Sequence, residues 1–249
     1  EWLPKIASGD IIATFAIDET AHHAPSKSKI KAAGGKLTGN KSYVADGHIA
    51  HLFIVAAVDA LYLVRADAEG LTRRELITAD SRGAADLIFD GVAAEKMEGG
   101  PHVIDAILDR ARIGLAAEML GQASEAFEIT SEYLKTRKQF GQVIGGFQAL
   151  QHRAAKLFTD LELTRSCVLA ALDALDRNAK SIPEWASLAK ARASETLHLA
   201  SNEMVQLHGG IGMTDAHDAG FYLKRARTAE ALYGGAAFHR DRYATLLGF

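Results

Sequence analysis

The stretch KTRKQFGQVIGGFQALQ, residues 135–151, sets an arginine and a lysine among aromatics, glutamines and glycines. Arg137 offers a planar fork that matches a pair of phosphate oxygens, which a lysine ammonium does not. Gln139, Phe140, Phe147, Gln148 and Gln151 are flat or amide-bearing groups of the kind that flank an aromatic heterocycle and a diphosphate. A plainer account also fits Arg137 and Lys138: a solvated helix end whose cations suit the negative pole of the helix dipole.

A second stretch, QLHGGIG at 206–212, crowds glycines behind an apolar helical pattern. Glycine there is an ordinary C-terminal cap. It also lets another molecule come close to the backbone. Metal chemistry is not expected. The one cysteine, Cys167, sits in an apolar run and reads as a buried structural thiol, and the adjacent His22 and His23 would point to opposite faces of a strand.

Two kinds of element must hold these stretches. Up to about residue 98 the apolar runs are short, at 11–17, 27–31, 52–57, 61–64 and 86–89, and are bounded by Gly, Asp or Asn. They predict a small all-β domain over 1–98. Gly34-Gly35 and Gly39-Asn40 are hairpin signals, and Asp59-Ala60 a turn between buried strands.

From 99 to 249 the pattern lengthens into a helical bundle. Pro101 suits a first helical turn. Ile104, Ile107, Leu108, Ala111, Leu115 and Met119 form one stripe, and Leu157, Leu161, Thr164, Val168 and Leu172 a second. Leu188, Ala191, Glu195, His198 and Val205 form a looser third, and 216–232 and 236–247 add two shorter helices. Long helices with short loops predict an antiparallel bundle, and so an α+β chain of two domains.

With 48% hydrophobic and 24% charged residues and a net charge of -3, the chain reads as a globular protein with no call for nucleic acid or anionic membrane as partner. No run approaches the roughly 20 apolar residues that span a bilayer, and no basic-then-apolar leader precedes Glu1. A cytoplasmic location is the expectation.

Together, YLKTRKQFGQVIGGFQALQHRAAKL (133–157) and QLHGGIGMTDAHDAGFYLKRAR (206–227) closely resemble the carboxyl-terminal helical domain of the acyl-CoA dehydrogenase family of flavoproteins. WLPKIASGD (2–10) and GNKSYVADGHIAHLFIVAA (39–57) look like that family's entry into its middle β domain and its flavin-facing strand pair. The resemblance does not extend to the family's amino-terminal helical domain, which either residues outside this sequence or another subunit would supply.

The resemblance implies FAD as cofactor, an acyl-CoA thioester of fatty acid metabolism as substrate and an electron-transfer flavoprotein as electron acceptor. In the family the first loop reaches across a dimer interface to the neighbour's FAD. Arg137 would then meet the pyrophosphate, with Gln139, Phe140, Ile144, Phe147 and Gln148 around the adenosine half and Gln206 and Gly210 completing the surface. Tyr43 would cover a flavin face beside Ala45, which cannot donate to the flavin. An oligomer follows, either a homotetramer built as a dimer of dimers or a complex with a homologous partner subunit.

The catalytic carboxylate is where the sequence departs. The family's usual base position corresponds to Gly234, and the minority position on the first long helix to Ala111; neither is an acid. Asp105, Asp109, Glu118 and Glu230 are nearby acids, with Tyr233 and His239 as further candidates. The leading expectation is an FAD-dependent acyl-CoA dehydrogenase forming an α,β double bond, its base atypical or missing. The alternatives are a non-catalytic partner subunit and a flavin monooxygenase on the same fold.

Overall fold

The computed structural model describes residues 1–100 and 102–249. Pro101, expected in a helix's first turn, lies outside them. The chain forms two compact units, Glu1–Ile107 and Leu108–Phe249.

The first unit opens with a short helix, α1 (Trp2–Ser8). Eight strands follow: β1 (Ala13–Ala16), β2 (Lys31–Ala33), β3 (Lys36–Ala45), β4 (Leu52–Ala56), β5 (Leu61–Arg65), β6 (Leu71–Leu76), β7 (Ala84–Ala93) and β8 (Glu95–Lys96). They make two four-stranded sheets, ordered β1-β4-β5-β8 and β2-β3-β7-β6. Only β1 and β4 run parallel. Leu37, Val44, Phe53, Val55, Tyr62, Val64, Leu87 and Phe89 fill the core of this unit.

Local chemistry explains where the sequence pattern misled. Gly34 and Gly35, both at positive φ, do join β2 to β3 as a two-residue hairpin. Gly39 and Asn40, however, lie inside β3, where a Cβ on Gly39 would sit 2.7 Å from Ile30 Cγ1. That glycine serves close packing, not a turn. The run at 27–31 is no strand: Pro25–Lys27 is a 3-10 turn, and pairing starts only at Lys31.

The intervening loop folds around one carboxylate. Glu19 accepts from Ser28 Oγ at 2.5 Å and from the backbone N–H groups of Lys29 and Ile30. Buried Lys41 donates to Glu19 Oε1 at 3.1 Å and to the Ile17 carbonyl at 2.6 Å. Burial alone would raise the Glu19 carboxyl, but the bonds from Ser28, Ile30 and Lys29 and the Lys41 charge hold it below its ordinary range.

The second unit contains α2 (His102–Thr136), whose opening turns hold the division between units, then β9 (Lys138–Gln139), β10 (Gln142–Val143), α3 (Gln148–Asp176), α4 (Ile182–His208), α5 (Ala219–Ala231) and α6 (Ala236–Leu246). Ile113, Met119 and Leu120 of α2 pack with Leu157, Leu161 and Val168 of α3 and Leu197 and Met204 of α4.

Helix α4 is buried nearly all round, through Ala186, Ala189, Lys190, Ala193, Leu197, Ala200 and Met204. Of the stripe expected on it, only Ala191 is buried. Alanine and serine let neighbours approach every side of a central helix, so no single stripe marks its core face. On α3 the stripe holds to Val168 and then turns to Ala171, leaving Leu172 exposed. Cys167, expected to be buried, is only partly so.

Replacing Glu19 strands the buried Lys41 ammonium. We expect Glu19→Ala to destabilise the β unit by about 3–5 kcal/mol, read from urea unfolding at neutral pH. Because the Glu19 carboxyl is held low, its contribution is present above its unfolded pKa and is lost as pH falls through the folded value. The difference between wild type and variant should therefore shrink on acidification.

Candidate functional site

The first loop is a miniature hairpin. The Ile144 N–H donates to the Arg137 carbonyl at 2.9 Å, closing the ladder in which Gln142 pairs with Gln139 and Val143 with Lys138. Phe140 and Gly141 turn at φ 51° and 76°. Phe140 is 89% exposed and meets Phe147 edge-on, with ring centroids 6.1 Å apart. A Cβ on Gly145 would lie 2.7 Å from the Leu134 carbonyl, so only glycine lets the hairpin lie this close to α2.

The second loop is docked against the base of the first. Leu134, Ile144 and Leu207 form a small buried cluster flanked by Tyr133, Phe147 and Leu150. The His208 ring packs against Tyr133 at 4.3 Å and His217 at 4.2 Å, and its Nδ1 bonds the Met204 carbonyl. Burial first, and then His217, pushes the His208 imidazole below its ordinary value, so it sits there neutral. Past it the chain turns at Gly209, φ 64°, into a 3-10 turn over Gly209–Met213.

What the pair of loops presents is open. Arg137, Gln139, Phe140, Gln148, Gln206 and Gly210 are all exposed, and a Cβ on Gly210 would meet nothing. The Arg137 guanidinium pairs with no carboxylate among the described residues. Ile144 is buried instead, supporting the hairpin from below. Tyr133 and His208, which pin one loop to the other, were not singled out from sequence. Their signal was present as an aromatic one turn before Arg137 and an imidazole two residues after Gln206.

In the β unit, Tyr43 stands on a bulge of β3. Lys41 pairs with Leu87 and Val44 with Ala85, which leaves one extra residue on β3. Tyr43 takes φ 53°, its N–H donates to Asp86 Oδ1, and its ring is exposed. Ala45 offers a methyl group, and its carbonyl accepts from Thr14 Oγ1 at 2.6 Å. His23 bonds Asp18, and no cluster of three or more potential metal ligands occurs among the described residues.

The acids are engaged elsewhere. Asp109 is buried, its Oδ1 2.9 Å from Arg112 Nη1 and its Oδ2 2.9 Å from Arg242 Nη2. Glu118 is gripped by Arg225 at 2.9 and 3.1 Å. Glu230 meets His198 Nδ1 at 3.2 Å. His239 is buried and pushed down to about 2, by burial first and then by Lys190 and Arg112, and its Nε2 donates to the Tyr233 carbonyl. Ala111 is half-buried on α2, and Asp105 is exposed in the other unit.

Gly234 is more than an empty position. It stands at φ 102°, and a Cβ there would lie 2.5 Å from Phe238 Cδ1 and 3.1 Å from His239 Nε2.

This arrangement of a two-sheet β unit followed by a helical bundle recurs in solved structures over 99% of the chain. The chain belongs to the acyl-CoA dehydrogenase family: the model described as acyl-CoA dehydrogenase, C-terminal domain, matches residues 98–247. The acyl-CoA dehydrogenase IpdE2 of Mycolicibacterium smegmatis is 32% identical over 236 residues, covering 93% of this chain and 70% of that protein. The mitochondrial short/branched chain specific acyl-CoA dehydrogenase of Bos taurus is 30% identical, covering 95% of this chain and 59% of the other.

Among solved structures, the Tcur3481-Tcur3483 steroid ACAD superposes with a TM-score of 0.89 at 32% identity, covering 99% of this chain and 70% of the other. The ChsE4-ChsE5 complex from Mycobacterium tuberculosis gives 0.89 at 26% identity, covering 99% and 69%. The chain spans 58% to 70% of the length of the first three curated relatives it matches. No helix among the described residues is long and apolar enough to cross a membrane.

Position 234 gives a direct test of this geometry. Gly234→Ala should cost about 1–3 kcal/mol, since it combines a left-handed backbone with a clash. Equilibrium unfolding of the purified variant measures it, and a cost near zero would mean the turn runs differently.

Proposed function

We propose that this chain is a subunit of an acyl-CoA dehydrogenase assembly to which it brings the FAD-contacting hairpin, the carboxylate base coming from a homologous partner subunit. The observation that carries this is the contrast between an exposed Arg137 loop surface and a Gly234 at positive φ, where a side chain would be strained and crowded by Phe238.

The residues fit FAD. Arg137 lacks an internal carboxylate partner and stands ready to donate to phosphate oxygens. Phe140 and Phe147 supply flat faces, and Gln139, Gln148 and Gln206 supply amides for an adenosine. Gly210 leaves its backbone open to close approach. When bound, FAD accepts the β hydrogen of the thioester as hydride. This chain's part is to hold and orient. Removing the α proton needs a carboxylate within hydrogen-bond reach, and Asp109, Glu118 and Glu230 are each tied to a cation or histidine. The similar Tcur3481-Tcur3483 and ChsE4-ChsE5 structures, each named for two proteins, support a two-chain assembly. Electrons would leave to an electron-transfer flavoprotein.

A second reading keeps the whole reaction in a homo-oligomer of this chain. Asp105 favours it, being an exposed acid on α2 with no ion-pair partner among the described residues.

The test is the flavin absorption band, followed anaerobically as a panel of acyl-CoA thioesters is added. We expect no bleaching with this chain alone and bleaching when a homologue with Glu at the position of Gly234 is present. Bleaching of the lone chain, abolished by Asp105→Asn, would establish the second reading instead. In the assembled complex, Arg137→Ala should weaken FAD retention roughly 10- to 100-fold, the loss of a charge-assisted contact, with subunit association unchanged. Equilibrium dialysis against FAD measures it.

A further inference from the structure

Under the α5–α6 turn lies a buried cation that the cofactor surface does not use. Lys190, in the middle of α4, is fully buried. Its Nζ donates to the Gly234 carbonyl at 2.9 Å, the Glu230 carbonyl at 3.2 Å and Ser194 Oγ at 3.2 Å. Charged, Nζ has a proton for each of the three; neutral, it still donates to the two carbonyls and can accept from the Ser194 hydroxyl. Two further donors reach the same turn: Arg112 Nε from α2, 3.4 Å from the Tyr233 carbonyl, and His239 Nε2 from α6, 3.0 Å from it.

The carbonyls concerned belong to the last turn of α5 and the residues beyond, where no helical N–H is left to serve them. Their course is an uncommon one. Tyr233 and Gly234 stand in succession at φ 58° and 102°, and the first of these is unfavourable for a tyrosine. Such a backbone persists only where its surroundings determine it, and here donors from three helices do so.

We propose that Lys190 is the positioning residue of this turn: its Nζ, with Arg112 and His239, fixes the course of residues 230–235 and so fixes what position 234 presents. The proposal rests on the preceding reading only in taking this turn as the one that corresponds to the family's base position. The clamp itself can be tested without flavin or thioester, so its failure and the failure of that reading are separable.

The charged and titratable groups of the cluster are Asp109 and Arg112 on α2, Glu230 on α5, and His239 and Arg242 on α6. Burial, with a smaller push from Arg112 and against the pull of Glu230, brings Lys190 down to about 7. The unfolded chain therefore holds a proton that the folded one has released between pH 7 and the ordinary lysine value of 10.5. Stability must rise with pH across that window.

The experiment is a double-mutant cycle on the full chain, read as denaturant midpoints, with Gly234→Ala, Lys190→Met and the pair. We expect Gly234→Ala to lower the midpoint clearly in the wild-type background and by less than half as much beside Lys190→Met, because an unclamped turn can move the new methyl away from Phe238. Lys190→Arg, which keeps donors in place, should restore the full cost. Additive effects of the two substitutions, or an equally tolerant Lys190→Arg, would overturn the proposal. Should Lys190→Met fail to fold, Lys190→Gln takes its place in the cycle, keeping a polar side chain but fewer donors; additivity of Lys190→Gln with Gly234→Ala overturns the proposal equally.

Discussion

Helix α4 is the element on which the helical unit depends, and its composition explains why. A helix enclosed on nearly every side can be approached closely only if its side chains are small, and Ala186, Ala189, Ala193 and Ala200 meet that condition. Where polar groups occur inside this environment, the cost of burying them fixes their partners. Thr196 bonds Thr164 of α3 at 2.7 Å, and Lys190 gathers the carbonyls of the turn beyond α5. The same helix ends at Leu207 and His208, which seat the glycine loop against Tyr133 and the hairpin base. One buried helix thus places both the exposed loop pair around Arg137 and the turn at Gly234.

The two regions have different chemical characters. Around Arg137 the side chains are exposed, uncommitted and mutually braced, as a surface awaiting a ligand should be. Around Gly234 the polar groups are buried and committed to one another: Asp109 to two arginines, His239 to a carbonyl, Lys190 to three acceptors. A base must be free to take a proton and close enough to reach it. No acid of this cluster is free, which is why the functional reading assigns the base to another chain.

Much of this was legible in the sequence, because the signals were local. The interruption between two long helices announces itself by its glycines and by an arginine beside aromatics, and the short runs before residue 98 pointed to the β character of the first unit. The family resemblance rested on those same residues, and the family model and the solved structures bear it out. What stayed hidden was tertiary. No pattern in residues 182–208 showed that α4 is surrounded, since alanine and serine look alike on a core face and a solvent face. Nothing local revealed that Lys190 lies under Gly234, or that Glu19 and the distant Lys41 together organise the loop from 17 to 30. That residue 234 is a glycine could be read directly; that a side chain there would be strained and would press on Phe238 required the backbone angle and the ring's position.

The most direct test of the account is native mass spectrometry of the assembly purified through this chain, with each component sequenced. The account predicts a complex of this chain with a second acyl-CoA dehydrogenase family member that carries Glu at the position of Gly234, with FAD retained in the complex. A homo-oligomer of this chain alone, holding FAD and reduced by an acyl-CoA thioester, would contradict it.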